Sequence, residues 1–366
     1  GDTLLIDDGK VVLRAIDVTD TDVLTETIVG GVVSNNKGIN LPGVAVSVPA
    51  LSEKDKDDLR WALRTGVDFI ALSFVRTARD LGDVHEIMDE VGIRIPVIAK
   101  IEKPQAVDNL REIVDAFDGV MIARGDLGVE LPLEQVPLVQ KHAIELARRA
   151  AKPAIVATQV LESMIENPRP TRAEASDCAN AVLDGADAIM LSGETSVGAY
   201  PREAVAVMAK IIENTEDHGF ARIPPLGSSP HTIGGAVTMA AADIGDLVGA
   251  RYLVTFTHGG DSARRLARLR PRLPMLAFTP VPATRSQLSL VWGIETYLVN
   301  AVKHTDQMVM QVDLQLIDGS HCEEGDLVVI AAGSPPGIPG STNALRVHRM
   351  GDAVNRVAEA FDPDEF

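Results

Sequence analysis

Between residues 49 and 218, short apolar segments alternate with amphipathic ones, and this alternation constrains the fold more than any other feature. The apolar segments predict β-strands at Phe69–Val75, Val97–Ile101, Val120–Ala123, Ala154–Ala157 and Ala188–Leu191. The amphipathic segments predict helices at Glu53–Arg64, Asp80–Glu90, Pro104–Asp115, Val136–Ala150, Arg172–Leu183 and Arg202–Asn214. Strands and helices that alternate at this spacing are typical of βα units around a parallel sheet.

Two architectures use such units: an open doubly wound sheet and a closed (β/α)₈ barrel. The glycine fingerprint G-x-G-x-x-G, which marks many doubly wound folds, follows none of the predicted strands. Polar and charged residues instead cluster just after the strand ends, where a barrel carries its active site. The pattern favours an α/β barrel, of which this sequence supplies five strands out of eight.

The flanking regions differ from this middle part. Residues 1–48 predict an all-β domain: a hairpin turns at Asp8-Gly9, and a loop at residues 34–38 carries Lys37. Further strands are predicted at Thr25–Val33 and Val44–Val48. We therefore expect three domains, at residues 1–48, 49–222 and 223–366, the last opening with a proline-rich linker. In that last domain, helix and strand signals lie at Ala236–Ile244, Tyr252–Phe256, Ser262–Arg268, Met275–Phe278 and Leu327–Ala332.

The composition excludes some classes of function. A net charge of −18 disfavours nucleic acid as a partner, because phosphate backbones are bound by basic surfaces. The longest apolar runs, such as Leu327–Ala332, are far shorter than the roughly 18 residues of a membrane span. Cys178 and Cys322 lie far apart in the sequence, so we expect reduced thiols and a cytoplasmic protein.

The strongest chemical signal is a lysine and two carboxylates at neighbouring strand ends. Lys100 and Glu102 are two positions apart, so they share one face of the strand that ends there. Asp126 follows the next strand. Carboxylates on adjacent strand ends suit Mg²⁺, and a lysine beside the ion would stabilise a phosphoryl group or an enolate.

The following strand ends complete the predicted site. Gly125 and Gly128 bracket Asp126, and a short helix is predicted to start at Asp126, with its first N–H groups facing a bound carboxylate. Thr158 follows the next strand, and its hydroxyl is placed to hold a substrate or to relay a proton. Glu194, after the last strand, is interpreted as packing at the rim rather than as a metal ligand.

Together these segments resemble pyruvate kinase, in the family's order and spacing over essentially the whole chain. The matching motifs are Lys37–Gly43, Pro49–Asp55, Lys100–Glu102, Ala123–Gly128, Ala157–Gln159, Leu161–Met164, Pro168–Glu174 and Met190–Thr195. The resemblance implies a barrel domain with an inserted β lid, and a C-terminal α/β effector domain. It also implies phosphoryl transfer from phosphoenolpyruvate to ADP, giving pyruvate and ATP, and a homotetramer.

The resemblance assigns roles to individual residues. Lys100 would stabilise the transition state, and Glu102 and Asp126 would bind Mg²⁺ or Mn²⁺. Gly125, Asp126 and Thr158 would hold the substrate together with Lys100, and Thr158 would lie near the carbon that is protonated. Lys37, in the lid, would bind the nucleotide phosphates.

The sequence departs from the family's pattern at its start. The family's chain begins upstream, so the first three barrel strands and part of the lid are expected to lie outside this sequence. The arginine expected at the transferred phosphoryl group and the ligands expected for K⁺ are also outside it. We therefore expect this sequence to be part of a longer protein, since an isolated fragment would expose apolar sheet edges.

A second departure lies in the C-terminal domain, where Thr257–Ala263 occupies the family's effector loop. Many members place lysine, serine and arginine there, whereas this chain has His258, Gly259 and Asp261. Thr257 and Ser262 are the remaining candidate ligands for a phosphorylated effector. The loop is either vestigial or adapted to another effector, such as a sugar monophosphate or AMP.

Two alternative functions remain open on the sequence alone. The chain is either catalytically inactive, serving as an effector-binding or oligomerisation module, or it is another metal-dependent barrel enzyme, such as an aldolase acting on pyruvate. The aldolase interpretation explains Glu102 and Asp126 but leaves Lys37 and the C-terminal domain without a role.

Overall fold

The computed structural model describes residues 1–7, 9–35, 37–42, 44, 50–227, 229–338 and 340–355. Contacts between residues divide the chain into two compact units, Gly1–Ile223 and Pro224–Phe366. The first unit contains two sheets and the second contains one.

The first sheet is small and antiparallel. Its strands are β1 (Thr3–Ile6), β2 (Val11–Val18), β3 (Val23–Val29) and β4 (Ile39–Asn40), in the order β3-β2-β1-β4. The predicted hairpin is confirmed, since β1 pairs with β2 in antiparallel register. The strand predicted at Thr25–Val33 corresponds to β3, which begins two residues earlier and ends four residues earlier than predicted. The strand predicted at Val44–Val48 lies outside the described residues except for Val44, which is not in a strand.

The second sheet of this unit is built from βα units. Its elements are α1 (Glu53–Thr65), β5 (Ile70–Leu72), α2 (Asp80–Val91), β6 (Val97–Ile101), α3 (Pro104–Asp108), α4 (Leu110–Ala116), β7 (Gly119–Ala123), α5 (Arg124–Glu130), α6 (Val136–Ala150), β8 (Ala154–Ala157), α7 (Arg172–Asp184), β9 (Ala188–Met190), α8 (Gly193–Ser196) and α9 (Pro201–Gly219). The five strands are parallel and lie side by side in chain order, β5 to β9. The sheet therefore has no point at which the strand order reverses, as a doubly wound sheet would have.

Local sequence signals explain the helix boundaries. Ser52 and Asp55 form a capping box at the start of α1, and Thr171 and Glu174 form another at α7. The single helix predicted at Pro104–Asp115 is wrong, because the chain breaks at Asn109 into α3 and α4. The Asn109 side chain donates a hydrogen bond to the Arg76 carbonyl at 3.0 Å, a contact that competes with helical geometry.

The core of this unit lies between the parallel sheet and its helices. Its largest fully buried side chains include Leu63, Ile101, Phe117, Ile122 and Ile144. Every residue of β7 and of β8 is buried, which is why these strands are apolar without alternation.

The second unit contains a five-stranded mixed sheet. Its elements are α10 (Ile233–Val248), β10 (Tyr252–Phe256), α11 (Asp261–Ala267), β11 (Met275–Thr279), α12 (Pro282–Leu288), β12 (Ile294–Leu298), α13 (Thr305–Asp318), β13 (Leu327–Gly333), β14 (Thr342–Arg349) and α14 (Asp352–Asn355). The order is β12-β11-β10-β13-β14, with only β14 antiparallel. Strands β11 and β12 lie on one side of β10, and β13 and β14 lie on the other. The strand order therefore reverses at β10, as in a doubly wound sheet.

Cys178 and Cys322 are both buried, and both are free thiols. Burial raises the pKa of the Cys178 and Cys322 thiols to about 11. Among the described residues, the structure has no helix with the length and apolar character that crossing a membrane requires.

Candidate active site

The register of the parallel sheet brings three predicted site segments to one edge. Ile101 of β6 pairs with Ile122 of β7, and Ala123 of β7 pairs with Ala157 of β8. Glu102, Arg124 and Thr158 are therefore the first residues after three adjacent strands. Parallel strands place their carboxyl ends at one edge, so these residues surround a common rim.

Lys100 and Glu102 form an ion pair at this rim. The Lys100 Nζ lies 2.5 Å from Glu102 Oε1, and the Glu102 side chain is 2% exposed while that of Lys100 is 24% exposed. The second carboxylate oxygen, Oε2, accepts a hydrogen bond from the Phe74 backbone N–H at 2.9 Å. The Lys100 Nζ also donates to Ser73 Oγ at 3.0 Å. A buried glutamate is thus held by fixed partners, while its lysine retains access to solvent.

The segment with Gly125 and Asp126 differs in one respect from the prediction. Helix α5 begins at Arg124, two residues before the predicted start, so Asp126 lies inside its first turn. The Gly125 N–H donates to Thr158 Oγ1 at 2.7 Å, so it already has a partner in this structure. A Cβ at Gly125 would lie 3.2 Å from that oxygen, which explains why this close approach favours glycine.

Thr158 lies in a strained turn after β8. Thr158 and Gln159 both have left-handed backbone angles, with φ of 67° and 52°. Such angles are costly for residues other than glycine, and they concentrate at functional sites. The Thr158 hydroxyl donates to the Ala157 carbonyl at 2.7 Å while it accepts from Gly125.

The donors present suit a hard divalent cation. Glu102 and Asp126 supply carboxylate oxygens, the ligand type that Mg²⁺ and Mn²⁺ prefer. No cluster of three or more histidine, cysteine, aspartate or glutamate side chains with metal-binding geometry occurs in the part of the chain that the structure describes. Two protein carboxylates, completed by substrate oxygens and water, are nevertheless a common arrangement for Mg²⁺.

Lys37 lies in the loop before β4 of the small antiparallel sheet, and not at the strand ends of the parallel sheet. Its Nζ is 2.8 Å from Asp7 Oδ1, and its side chain is 36% exposed. This hydrogen bond is the main reason why the pKa of Asp7 is lowered. Asn40 of β4 connects the same sheet to the end of helix α5, because its Nδ2 lies 3.4 Å from Glu130 Oε1.

Comparison with known proteins decides between the possible chemistries. The pyruvate kinase barrel domain matches residues 1–205, and the pyruvate kinase alpha/beta domain matches residues 235–348. Pyruvate kinases of Mycobacterium tuberculosis and Corynebacterium glutamicum are 60% and 58% identical over 352 residues, which cover 96% of this chain and 74% of each relative. A crystal structure of a pyruvate kinase from Cryptosporidium parvum matches with a TM-score of 0.85 at 34% identity, covering 96% of this chain and 72% of that one.

The chain belongs to the pyruvate kinase family. It is a glycolytic phosphotransferase that carries out the phosphoenolpyruvate-to-pyruvate reaction, and the first unit contains the family's barrel domain. Members of this family generally use Mg²⁺ and K⁺. These matches support phosphoryl transfer, and none of them favours the aldolase or the inactive-module interpretation.

The candidate site includes contacts that sequence reasoning missed. Ser73 contacts Lys100 and Phe74 contacts Glu102. Both residues follow β5, which ends at Leu72, but the predicted strand ran on to Val75, so the strand-end rule did not select them. Arg124 was recognised only as part of a motif, yet its guanidinium binds the Thr158–Gln159 turn. Glu194 accepts hydrogen bonds from the Leu161 and Ser192 N–H groups, as expected for a residue that packs the rim.

The candidate effector loop, Thr257–Ala263 in the alpha/beta domain, has side chains that are hydrogen-bonded within the domain. The Thr257 hydroxyl accepts from the Gly260 N–H at 2.9 Å, and Ser262 Oγ is hydrogen-bonded to Thr342 Oγ1, so both candidate ligands have partners within the domain. Asp261 forms an ion pair with Arg265 at 2.6 Å. A cavity of about 410 Å³ lies beside the loop at the carboxyl ends of the strands; among its lining residues are Thr257, His258, Asn300 and Met308.

Proposed function

We propose that Lys100 is the catalytic cation of this pyruvate kinase, stabilising the phosphoryl group and the enolate in the transition state. The observation that carries this proposal is the Lys100–Glu102 pair: a buried carboxylate fixes the ammonium group at the rim while leaving it partly exposed. Phosphoryl transfer depends on positioned charge more than on covalent chemistry, so a fixed lysine suits this role.

We also propose that Glu102 and Asp126 hold Mg²⁺ or Mn²⁺. When bound, the ion would supply positive charge to the phosphoryl oxygens and to the enolate. The Phe74 N–H holds Oε2 of Glu102 in place, while Oε1 lies 2.5 Å from the Lys100 ammonium group, so the carboxylate and the lysine are positioned together. The K⁺ expected for the family would be bound by residues outside this sequence.

Gly125, Asp126 and Thr158 are proposed to bind phosphoenolpyruvate beside Lys100. The hydrogen bond from Gly125 to the Thr158 hydroxyl joins two strand ends into one surface. The Thr158 hydroxyl is at once a donor and an acceptor, so it is suited to pass a proton toward the carbon that becomes the methyl group of pyruvate.

Lys37 is proposed to bind the phosphates of ADP and ATP. It lies in the loop between β3 and β4 of the small antiparallel sheet, which we interpret as part of a lid domain covering residues 1–48. Its partner Asp7 holds the ammonium group in place, and a nucleotide phosphate would compete for it.

The remaining proposals concern the architecture around the site. The side-by-side order of the five parallel strands supports strands 4–8 of a (β/α)₈ barrel at residues 49–222. The alpha/beta domain at residues 223–366 is proposed to bind a phosphorylated effector through Thr257 and Ser262. Assembly as a homotetramer and a cytoplasmic location are proposed from the family and its glycolytic role.

Metal binding tests the assignment of the carboxylates. We expect Glu102→Gln and Asp126→Asn, made in the full chain, each to weaken Mn²⁺ binding by at least about 10-fold, because each removes one of two anionic ligands. Electron paramagnetic resonance of Mn²⁺ measures this without any need for turnover. Glu134→Gln, at an exposed glutamate, is the matched control and should bind Mn²⁺ normally.

A phosphoenolpyruvate–ADP coupled assay on the same proteins gives the second readout. Loss of turnover together with loss of Mn²⁺ supports the proposal. Wild-type Mn²⁺ affinity in both carboxylate variants would show that the metal is held elsewhere.

A further inference from the structure

We infer that Arg124 is a positioning residue for the reaction, because its guanidinium holds the strained Thr158–Gln159 turn and thereby fixes the Thr158 hydroxyl. This inference rests on the proposed role of Thr158 in substrate binding. Arg124 itself is not assigned any contact with substrate or metal.

The turn requires an external restraint. Seven residues other than glycine have a positive φ among those described, and Thr158 and Gln159 are the only two of them adjacent in sequence. Thr158 is β-branched, which makes the left-handed conformation especially unfavourable. A strained turn persists only where surrounding contacts over-determine it.

Arg124 supplies such contacts. Its Nη2 donates to the Thr158 carbonyl at 3.0 Å and to the Gln159 carbonyl at 3.1 Å. Its Nη1 lies 2.6 Å from Asp177 Oδ2, and the side chain is only 11% exposed. One planar guanidinium therefore binds both carbonyls of the strained turn and a carboxylate of α7, a set of contacts that a lysine cannot reproduce.

The neighbouring residue completes the restraint. While the Arg124 side chain holds the carbonyls of the turn, the Gly125 N–H holds its hydroxyl at 2.7 Å. The start of α5 thus fixes Thr158 at two points, through its backbone and through its side chain. Because α5 also carries Asp126, the same helix start sets the position of Thr158 relative to a proposed metal ligand.

The other contacts of Arg124 keep it out of the chemistry. Its Nη1 also lies 3.4 Å from Gln140 Oε1 on α6. A cavity of about 590 Å³ adjoins this cluster, and its lining includes Arg124, Gln140, Gln159 and Asp177 but none of Lys100, Glu102 or Asp126. Arg124 therefore acts on the site through the turn.

A double-mutant cycle between Arg124→Met and Thr158→Val separates positioning from a merely structural role. We expect Arg124→Met in the full chain to lower kcat by about 100-fold, since a small misplacement of a reacting group has an effect of that order. In the Thr158→Val background the same change should lower kcat by less than about 3-fold, because the group that Arg124 positions is already gone. The KM for ADP should stay within about 2-fold of wild type, because uniform binding of the nucleotide is unaffected.

Two further variants complete the design. Arg124→Lys should lower kcat as much as Arg124→Met does, because lysine keeps the charge beside Asp177 but loses the planar guanidinium group. If Arg124→Met does not fold, Arg124→Lys replaces it in the double-mutant cycle. Arg149→Met, at a half-exposed arginine paired with Glu145 on α6, should leave kcat unchanged.

The outcomes of the cycle are distinct. The inference would be overturned if the two reductions in kcat multiplied fully in the double variant. It would also be overturned if kcat were near normal in both Arg124→Met and Arg124→Lys. Either result would leave the proposed function intact. A normal kcat for Thr158→Val would instead remove the proposed role of Thr158, and the inference with it.

Discussion

Two buried carboxylates, one in each unit, each lie close to a basic side chain, and the two contacts serve different purposes. In the barrel unit, Lys100 and Glu102 lie 2.5 Å apart, and the lysine is 24% exposed. In the alpha/beta unit, His348 and Asp313 lie 2.7 Å apart, with exposures of 1% and 0%. In the first pair the lysine is accessible to solvent, whereas in the second pair both side chains are buried.

The hydrogen bonds of the two carboxylates explain the difference. The second oxygen of Asp313 accepts from the Ala353 and Val354 N–H groups, so this aspartate joins β14, α13 and the start of α14. Glu102 instead fixes a lysine whose ammonium group can exchange one anionic partner for another. A sealed pair stabilises a fold, while a pair with one exposed partner can take part in binding and catalysis.

The largest expected effect is that of Lys100→Met on turnover. We expect kcat to fall by at least about 1,000-fold, because the substitution removes the charge that we propose stabilises the transition state. Circular dichroism should show an intact fold, and a coupled assay with lactate dehydrogenase measures the rate. Lys54→Met, at an exposed lysine paired with Asp58, is the control. Near-normal turnover in Lys100→Met would contradict the assignment of Lys100.

Disrupting the His348–Asp313 pair should lower stability rather than turnover. We expect Asp313→Ala to lower the free energy of unfolding by about 3 kcal/mol, because it leaves a buried histidine and two N–H groups without their partner. The kcat at saturating substrate should change little. Urea denaturation measures the loss, with Gln315→Ala on the exposed face of the same helix as the control. An unchanged unfolding free energy would show that the pair contributes nothing to stability.

A third, exposed pair should give the smallest effect. We expect Lys37→Met to raise the KM for ADP by about 10-fold, the effect of losing one charge-assisted hydrogen bond, without changing the KM for phosphoenolpyruvate. Lys10→Met is a closely matched control, because Lys10 also pairs with Asp7 but is 71% exposed. Equal effects of the two substitutions on the KM for ADP would argue against a specific role for Lys37.

Much of the barrel unit could be predicted because its strands are short, apolar and separated by regular helices. The predicted bounds of β6, β8 and α6 coincide with those in the structure. The start of α5 was misplaced because Gly125 and Gly128 resemble turn residues. The break at Asn109 was missed because it depends on a carbonyl 33 positions away in the sequence.

The alpha/beta unit was less predictable. Five of its elements were not predicted: α12, β12, α13, β14 and α14. Strand β12 lies at the sheet edge and is partly exposed, so it lacks the continuous apolar pattern of a central strand. Strand β14 is antiparallel and carries polar residues on its exposed side, so its sequence lacks the continuous apolar pattern by which the other strands were predicted.

The sequence by itself determined the βα alternation, the strand ends that carry Lys100, Glu102, Asp126 and Thr158, and the reaction that their motifs indicate. Those properties depend on local periodicity and on residues that are close in the chain. Only the tertiary structure decided which partners those residues have: Ser73 for Lys100, Phe74 for Glu102 and Arg124 for the Thr158 turn. These partners come from different strand ends, and sheet register, rather than sequence spacing, brings such residues together.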